Sequence, residues 1–229
     1  MFSVVIPSRN IDNLLACVKA IRAAAEVCEI IAVWDESVVL ADTDEYEPKR
    51  RELDALDVLF WHAAPPFCFS KSANIGIRAA GQNDVILCND DALLETMGGF
   101  SALAQYPVGV MSATVKGPAH PVHEYGRIAK SLKPGELQGA SFVPFVCVLI
   151  SRKCIEYVGL LDERFVPGSW EDNDYCRRVL MAGFQVGVYP GCVVNHGILP
   201  HTFRPENEAQ KYELIANRRR YEDKWGLRP

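Results

Sequence analysis

Hydrophobic positions follow two alternating rhythms along the first half of the chain. Short, continuous apolar runs recur as "FSVVIP" (2–7), "EIIAVWD" (29–35), "VLFWH" (58–62) and "DVILCN" (84–89). Between them, apolar residues return every three or four positions, as at Ile11, Leu14, Leu15, Val18 and Ile21, with Asp12 in the first helical turn. The same spacing predicts helices over 49–57, over 70–81 with Gly81 at the C-cap, and over 92–105, while 36–50 reads as a polar, acidic loop. Apolar strands alternating with helices point to a parallel sheet covered on both faces.

The rhythm loosens after Pro107. Residues 108–115 and 141–151 read as strands, the second interrupted by Pro144. The segment 116–140, rich in Gly, Pro, His and Lys, is expected as a long loop and a candidate flap facing substrate. A short helix over 152–159 and an amphipathic helix over 171–183 follow, the latter with Tyr175, Cys176, Val179 and Leu180 as its apolar face. Short strands are expected at 184–190 and 192–197, and a charged helix from about 205 to 225. No repeat, low-complexity segment or linker interrupts the 229 residues. They read as a single α/β domain, with 1–105 resembling a nucleotide-binding half and 106–229 forming a second half.

Hydrophobic residues make up 49% and charged residues 23% of the chain, so a sizeable core is expected and disorder is not. A net charge of −5 argues against nucleic acid as a partner. The opening "MFSVVIPSRN" has no basic segment ahead of its apolar run and reads as a strand rather than a signal peptide. No apolar stretch approaches the ~20 residues that span a bilayer. A soluble, cytoplasmic protein is expected, with peripheral attachment at the inner membrane surface left open. The eight cysteines lie scattered in apolar runs without a C-x-x-C pair, which favours reduced core residues over a zinc cluster.

Polar residues collect where strands end. Pro7-Ser8-Arg9-Asn10, Asp35-Glu36 and Asn89-Asp90-Asp91 each close an apolar run, and ligands bind at the carboxyl ends of strands in open parallel sheets. Adjacent carboxylates at the end of a core strand repel and are costly to desolvate, so a divalent cation is one reading of Asp90-Asp91. A surface turn with a helix cap is the other. Glu171, Asp172 and Asp174 crowd a first helical turn beside Trp170, just after Pro167-Gly168-Ser169. An ionised carboxylate there can accept a proton from an attacking hydroxyl. His196 closes "GCVVNHG" and suits a manganese-type site. His120, His123 and His201 are expected in solvated loops, and Arg218-Arg219-Arg220 on an exposed helix face.

Taken in order, "VVIPSRN", "VWDES", "NIGIRAAGQNDVILCNDD", "DERFVPGSWEDNDYCRRVLMAGFQVGVYPGCVVNHG" and "YEDKWG" resemble the landmarks of family 2 glycosyltransferases of the GT-A fold, especially the rhamnosyl- and galactosyltransferase branch. The resemblance implies a Rossmann-like, mostly parallel central sheet with helices on both faces and a small second sheet. It implies that Pro7, Ser8, Asp35, Glu36, Asn74 and Asp90 line the nucleotide site. It further implies that Asp91 and His196 hold Mn2+ or Mg2+, that Asp172 is the catalytic base with Glu171 beside it, and that Trp170 forms part of an acceptor platform. Two positions depart from the family pattern. Asn89 stands where many relatives carry the first Asp of D-x-D, and Ser72-Ala73-Asn74 replaces the frequent A-R-N, removing a phosphate-contacting arginine.

The expected activity is metal-dependent, inverting transfer of a sugar from a nucleoside diphosphate donor, UDP-linked by resemblance, to a carbohydrate or other hydroxyl acceptor in glycan or polysaccharide synthesis. Two rivals share these residues: a nucleotide-sugar hydrolase using water, and a binding module without turnover. Oligomeric state is not encoded in any pattern found.

Overall fold

The two rhythms are realised element by element in the computed structural model, which describes residues 1–36, 43–106, 109–131, 136–201 and 208–227. The first half comprises β1 (Phe2–Ser8), α1 (Ile11–Ala23), β2 (Glu29–Asp35), α2 (Thr43–Ala55), β3 (Val58–Ala63), α3 (Phe69–Ala79) and β4 (Asp84–Cys88). It is followed by β5 (Leu93–Leu94), α4 (Gly99–Leu103), β6 (Gly109–Lys116), α5 (Tyr125–Ser131), β7 (Gln138–Gly139) and β8 (Cys147–Ile150). The chain continues through α6 (Arg152–Val158), α7 (Glu171–Met181), β9 (Gln185–Asn195) and α8 (Glu208–Lys224).

The strands join one sheet in the order β3-β2-β1-β4-β8-β6-β9-β5, with β7 also paired to β9. The run β3-β2-β1-β4 is parallel, as is the β6–β9 pair. Among the described strands, β8, β5 and β7 oppose that direction, so the sheet is mostly parallel, as expected. The small second sheet expected by resemblance is not separate among the described residues, because the short strands β5 and β7 both pair with β9 and so join the one sheet.

Strand pleating sorts the core into two layers. Val4, Ile6, Ile30, Ala32 and Ile86 face α1 and Leu53 of α2 on one side. Val5, Ile31, Val33 and Leu87 face α3, α6 and α7 on the other. Burial of both strand faces is why these strands carry no polar alternation. All cysteines are free thiols and all but Cys28 are buried, behaving as small core residues.

Several boundaries differ from the pattern. The predicted helix over 92–105 is instead β5 followed by the short α4. Gly98 adopts a left-handed conformation with φ of 62°, while Leu93 and Leu94 pair with Asn195 and Val194. Tertiary pairing and a glycine break override the apolar spacing there. The strand expected over 141–151 begins only at Cys147, since Pro144 lacks an N–H and its carbonyl turns back to accept from Val146 at 2.9 Å. The two strands expected at 184–190 and 192–197 are one strand, β9, which passes Pro190-Gly191 through a register shift opposite Ala113 and Thr114. Part of the expected 36–50 loop is helical in α2, and the 116–140 segment contains α5 and β7. Residues 37–42, 107–108, 132–135 and the expected start of the last helix near 205 lie outside the described residues. Leu180 is exposed, because the buried stripe of α7 is the narrower set Tyr175, Cys176 and Val179. No helix among the described residues is long and apolar enough to cross a membrane.

Helix α3 lies so close to β1 that a Cβ at Gly76 would overlap a Val5 methyl. Gly76→Ala would gain about 1 kcal/mol of helix propensity but overpack the interface by about 3 kcal/mol. A net loss of about 2 kcal/mol is therefore expected in denaturant unfolding. An unchanged midpoint would mean that α3 does not sit on β1 at this distance.

Candidate active site

The carboxyl ends of β1, β2 and β4 place Ser8, Asp35 and Asn89-Asp90-Asp91 along one edge of the sheet. The turn after β4 is tied to β1 by the Ser8 hydroxyl, which donates to Asp90 Oδ2 at 2.6 Å. Pro7 and Ser8 are buried. Asp35 is buried with Arg9 Nε 3.5 Å from its Oδ2, and the Arg9 guanidinium lies 5.3 Å from the centre of the Phe67 ring. Glu36 is exposed at the mouth of this edge, its N–H donating to the Ala63 carbonyl at 3.0 Å. Asn74 lies deeper. Its amide donates to the Leu161 carbonyl at 2.9 Å and Glu163 Oε1 at 2.8 Å, and its oxygen accepts from Leu161 N–H at 2.9 Å. That side chain clamps α3 to the 161–163 segment.

Asp91 is the centre of a three-residue cluster. His196 Nε2 lies 3.1 Å from its Oδ1 and His201 Nδ1 3.0 Å from its Oδ2, and the two rings stand 4.7 Å apart at a tilt. One ligand atom from each of the three residues falls within 4.8 Å of the other two. His196 Nδ1 sits 3.3 Å from the Pro118 carbonyl, which can only accept, so that nitrogen carries a proton and Nε2 is the atom turned to Asp91. Two lone pairs 3.1 Å apart require a proton or a cation between them. Burial works to lower the His196 imidazole pKa, yet the Asp91 carboxylate outweighs it and raises that pKa. Burial works to raise Asp91, but His196 and then His201 hold it below the usual carboxylate range. One carboxylate and two imidazoles form a donor set that suits a manganese-type divalent ion, so these side chains fit such a metal.

His196 was legible as a strand-end histidine, whereas His201 was expected in solvent. The 197–201 segment instead folds back across α1, where Asn13 Nδ2 donates to the Pro200 carbonyl at 2.8 Å. Two histidines five residues apart past a strand end were the available signal. His123, also expected in solvent, is fully buried with Nδ1 3.2 Å from Ser112 Oγ, and desolvation pushes its pKa down to about 4. His120 is exposed, as expected.

The start of α7 supplies the second acidic group. Ser169 and Trp170 hold left-handed conformations, with φ of 77° and 73°, turning the chain sharply into the helix. The Asp172 carboxylate, half-buried, accepts from Asn173 N–H at 2.7 Å and from the backbone of Phe145. Burial nonetheless pushes its pKa up to about 6. Glu171 is more deeply buried, and desolvation together with the Asp172 charge pushes its carboxyl well up. The third acid has a separate task. Asp174 is fully buried and receives Arg178 Nε at 3.0 Å, Lys224 Nζ at 2.7 Å and Trp225 Nε1 at 3.0 Å. Asn217 of α8 donates to the carbonyls of Val166 and Gly168, and Trp170 packs on Tyr221 at 5.2 Å between ring centres. The C-terminal helix thus braces the turn that carries Glu171 and Asp172.

The two acidic sites share one support. Asn89 N–H donates to the Val146 carbonyl at 2.8 Å, while the preceding residue, Phe145, contributes its backbone to Asp172. The turn after β4 and the first turn of α7 are therefore bound to adjacent residues.

Comparison with solved structures shows a GT-A glycosyltransferase fold. GalNAc-T7 crystallised with UDP, GalNAc and Mn2+ superposes with a TM-score of 0.70 at 13% identity, covering 97% of this chain and 47% of that one. The mannosyltransferase PcManGT from Pyrobaculum calidifontis, in complex with GDP-Man and Mn2+, gives 0.67 at 15% identity, covering 100% and 64%. S. aureus TarS (1–349) gives 0.59 at 12% identity, covering 86% and 60%. Among curated proteins, the chain is 29% identical over 210 residues to the uncharacterized protein y4gI of Sinorhizobium fredii (strain NBRC 101917 / NGR234), covering 80% of this chain and 23% of that protein. No family model matches the chain.

The distinct surroundings of Asp172 and Asp174 give opposite stability effects. Asp174→Ala removes the shared counter-ion of Arg178 and Lys224 and is expected to cost about 3–5 kcal/mol. Asp172→Asn neutralises a carboxyl whose ionised form burial already disfavours, and at neutral pH it is expected to leave stability unchanged or raised. Parallel denaturant melts of the two variants check this pair, and equal destabilisation would refute the division of roles.

Proposed function

We propose that this chain is an inverting glycosyltransferase that moves a sugar from a nucleoside diphosphate donor, UDP-linked, to a hydroxyl of a glycan or growing polysaccharide. The order of its motifs, from "VVIPSRN" to "YEDKWG", supports placing it with the rhamnosyl- and galactosyltransferase branch of family 2. The observation that carries the proposal is the Asp91–His196–His201 cluster, on a turn bonded to Val146 while the adjacent Phe145 bonds Asp172. The nearby folds were crystallised with UDP or GDP-Man and Mn2+, which supports a nucleotide-sugar donor.

The two halves of the chain divide the labour. Residues 1–105 supply the donor cradle: Pro7, Ser8, Asp35 and Glu36 toward the nucleoside, and Asp90 and Asp91 toward the diphosphate. Residues 106–229 supply the base and two of the three metal-binding side chains, and Trp170 stands beside the acceptor path. Asp91, His196 and His201 would hold a divalent ion, which would supply positive charge to offset that developing on the departing diphosphate. Asp172 takes the proton from the acceptor hydroxyl as its oxygen bonds to the anomeric carbon. The bond from that carbon to the diphosphate oxygen breaks on the opposite face and its electron pair leaves with the diphosphate, so configuration inverts. Asp172, with its pKa raised to about 6, is a stronger base than an ordinary carboxylate and stays ionised at neutral pH.

Three measurements test this. Asp172→Asn is expected to lower kcat by about 10²–10⁴-fold with donor affinity retained. Normal turnover in that variant would remove Asp172 from the base role. In the wild type, kcat/KM is expected to fall with falling pH through about 6, because protonation of Asp172 removes the base. A flat profile between pH 5 and 7 would contradict this assignment. His201→Ala is expected to weaken manganese binding about 10–100-fold in calorimetry, and unchanged affinity would exclude it from the metal centre.

A further inference from the structure

Ser169 and Trp170 are, among the described residues, the one consecutive pair other than glycine in the left-handed region. A bulky side chain disfavours that region, and such strain persists only where neighbouring contacts impose it. The pair stands directly before Glu171 and Asp172. It therefore sets the direction in which α7 leaves the turn, and hence where the Asp172 carboxylate points.

Most of the contacts that impose it come from α8. Among the described side chains of that helix, Asn217 alone is buried, and it is fully so. Both of its amide hydrogens are used, Nδ2 donating to the Val166 carbonyl at 3.1 Å and to the Gly168 carbonyl at 2.7 Å. Its oxygen accepts from Arg220 Nη1, so the amide plane is fixed from both ends. One turn further along, Tyr221 packs on Trp170, and beyond it Lys224 and Trp225 reach Asp174. These contacts follow one face of α8 at helical spacing and meet the chain at 166–168, at 170 and at 174. From α3, Phe69 N–H holds the Pro167 carbonyl at 2.9 Å.

Each contact can do a different thing. Lys224 and Trp225 grip α7 after the turn is complete, and the Trp170–Tyr221 contact acts on a side chain rather than on the backbone. Asn217 grips the peptide units on either side of Pro167-Gly168, immediately before the strained pair, and so fixes the direction of entry into it. An apolar or acceptor-only side chain at 217 would take these donors from the two carbonyls and let Ser169 and Trp170 relax. We propose that Asn217 is a positioning residue for the base: by holding the Val166 and Gly168 carbonyls, it keeps Ser169-Trp170 in the left-handed turn that aims Asp172 at the acceptor hydroxyl. This role rests on the base assigned to Asp172 above, and it gives α8 a part in turnover beyond its part in the fold.

Asn217→Leu and Asn217→Asp test it, the second keeping the side-chain volume and the Arg220 partner while losing both N–H donors. Cooperative unfolding in denaturant shows that a variant is folded, and Asn217→Asp carries the test where Asn217→Leu is not. Turnover is read as manganese-dependent release of diphosphate from UDP-glucose, UDP-galactose and GDP-mannose, with an alkyl glycoside as acceptor. Both variants are expected to lose about 10²-fold in kcat with KM for the donor unchanged. A second readout is NMR titration of the side-chain carboxyl carbons, with Asp172→Asn identifying the signal. The Glu171 carboxyl and Cys176 thiol of α7 and the backbone of Phe145 interact with Asp172, and the substitutions alter none of them. The midpoint is expected near 6 in the wild type. In the variants it is expected to fall toward roughly 4 as the turn opens to solvent. Adding Ser169→Gly, which removes the left-handed cost, is expected to restore most of both values. A wild type that releases diphosphate from none of these donors overturns the transferase reading, and with it the base that Asn217 serves. A wild type that turns over overturns the role of Asn217 alone if kcat or the midpoint is unmoved in a folded variant, or if Ser169→Gly restores neither.

Discussion

The carboxylate of Asp91 cannot be left by itself. It is 2% exposed just beyond the apolar run Val85–Cys88, and it follows a second buried carboxyl, Asp90. Among the described residues, its charge is stabilised by two imidazoles that reach it from the end of β9 and the segment beyond. That requirement explains much of the second half of the fold. Strand β9 must run alongside β6 to deliver His196, and the chain must then turn back over α1 to deliver His201. A hydrophobic side chain at position 91 would remove the electrostatic reason for both excursions.

The same logic separates three acids that look equivalent along α7. Asp174 meets fixed cations and an indole N–H, and it holds α8 against the body of the molecule. Asp172 meets mainly backbone donors, and burial raises its pKa. Glu171 meets still less and is the most disfavoured as an ion. Groups whose charge is compensated are structural anchors, whereas groups left poorly compensated in a cleft are poised for proton transfer or ligand binding. The acid anchored by α8 lies two residues beyond the proposed base, so tail packing and the geometry of that base are linked through less than one helical turn.

The central sheet was legible because its strands are buried on both faces, and burial of that kind writes itself into the chain as short, continuous apolar runs. The strand-end acids were legible for the related reason that a charged residue directly after such a run is conspicuous. What sequence could not show was set by distant parts of the chain. Leu93 and Leu94 have helical neighbours in pattern but form a strand because β9 is there to pair with them. His201 looks like a loop residue, and its environment comes from Asp91, which lies 110 positions earlier. Asn74, expected near the nucleotide by resemblance, has its amide committed to Leu161 and Glu163, partners that no local pattern names.

The substitution of asparagine at position 89 then acquires a physical sense. A third carboxylate beside Asp90 and Asp91 would add repulsion in a region where Ser8, His196 and His201 already balance two. An amide is uncharged and still bonds through its backbone N–H to the Val146 carbonyl. The departure from a fully acidic turn therefore divides the work between neighbours. Asp91 meets His196 and His201, Asp90 is tied to β1 through Ser8, and Asn89 adds no charge to a turn that already carries two buried carboxyls.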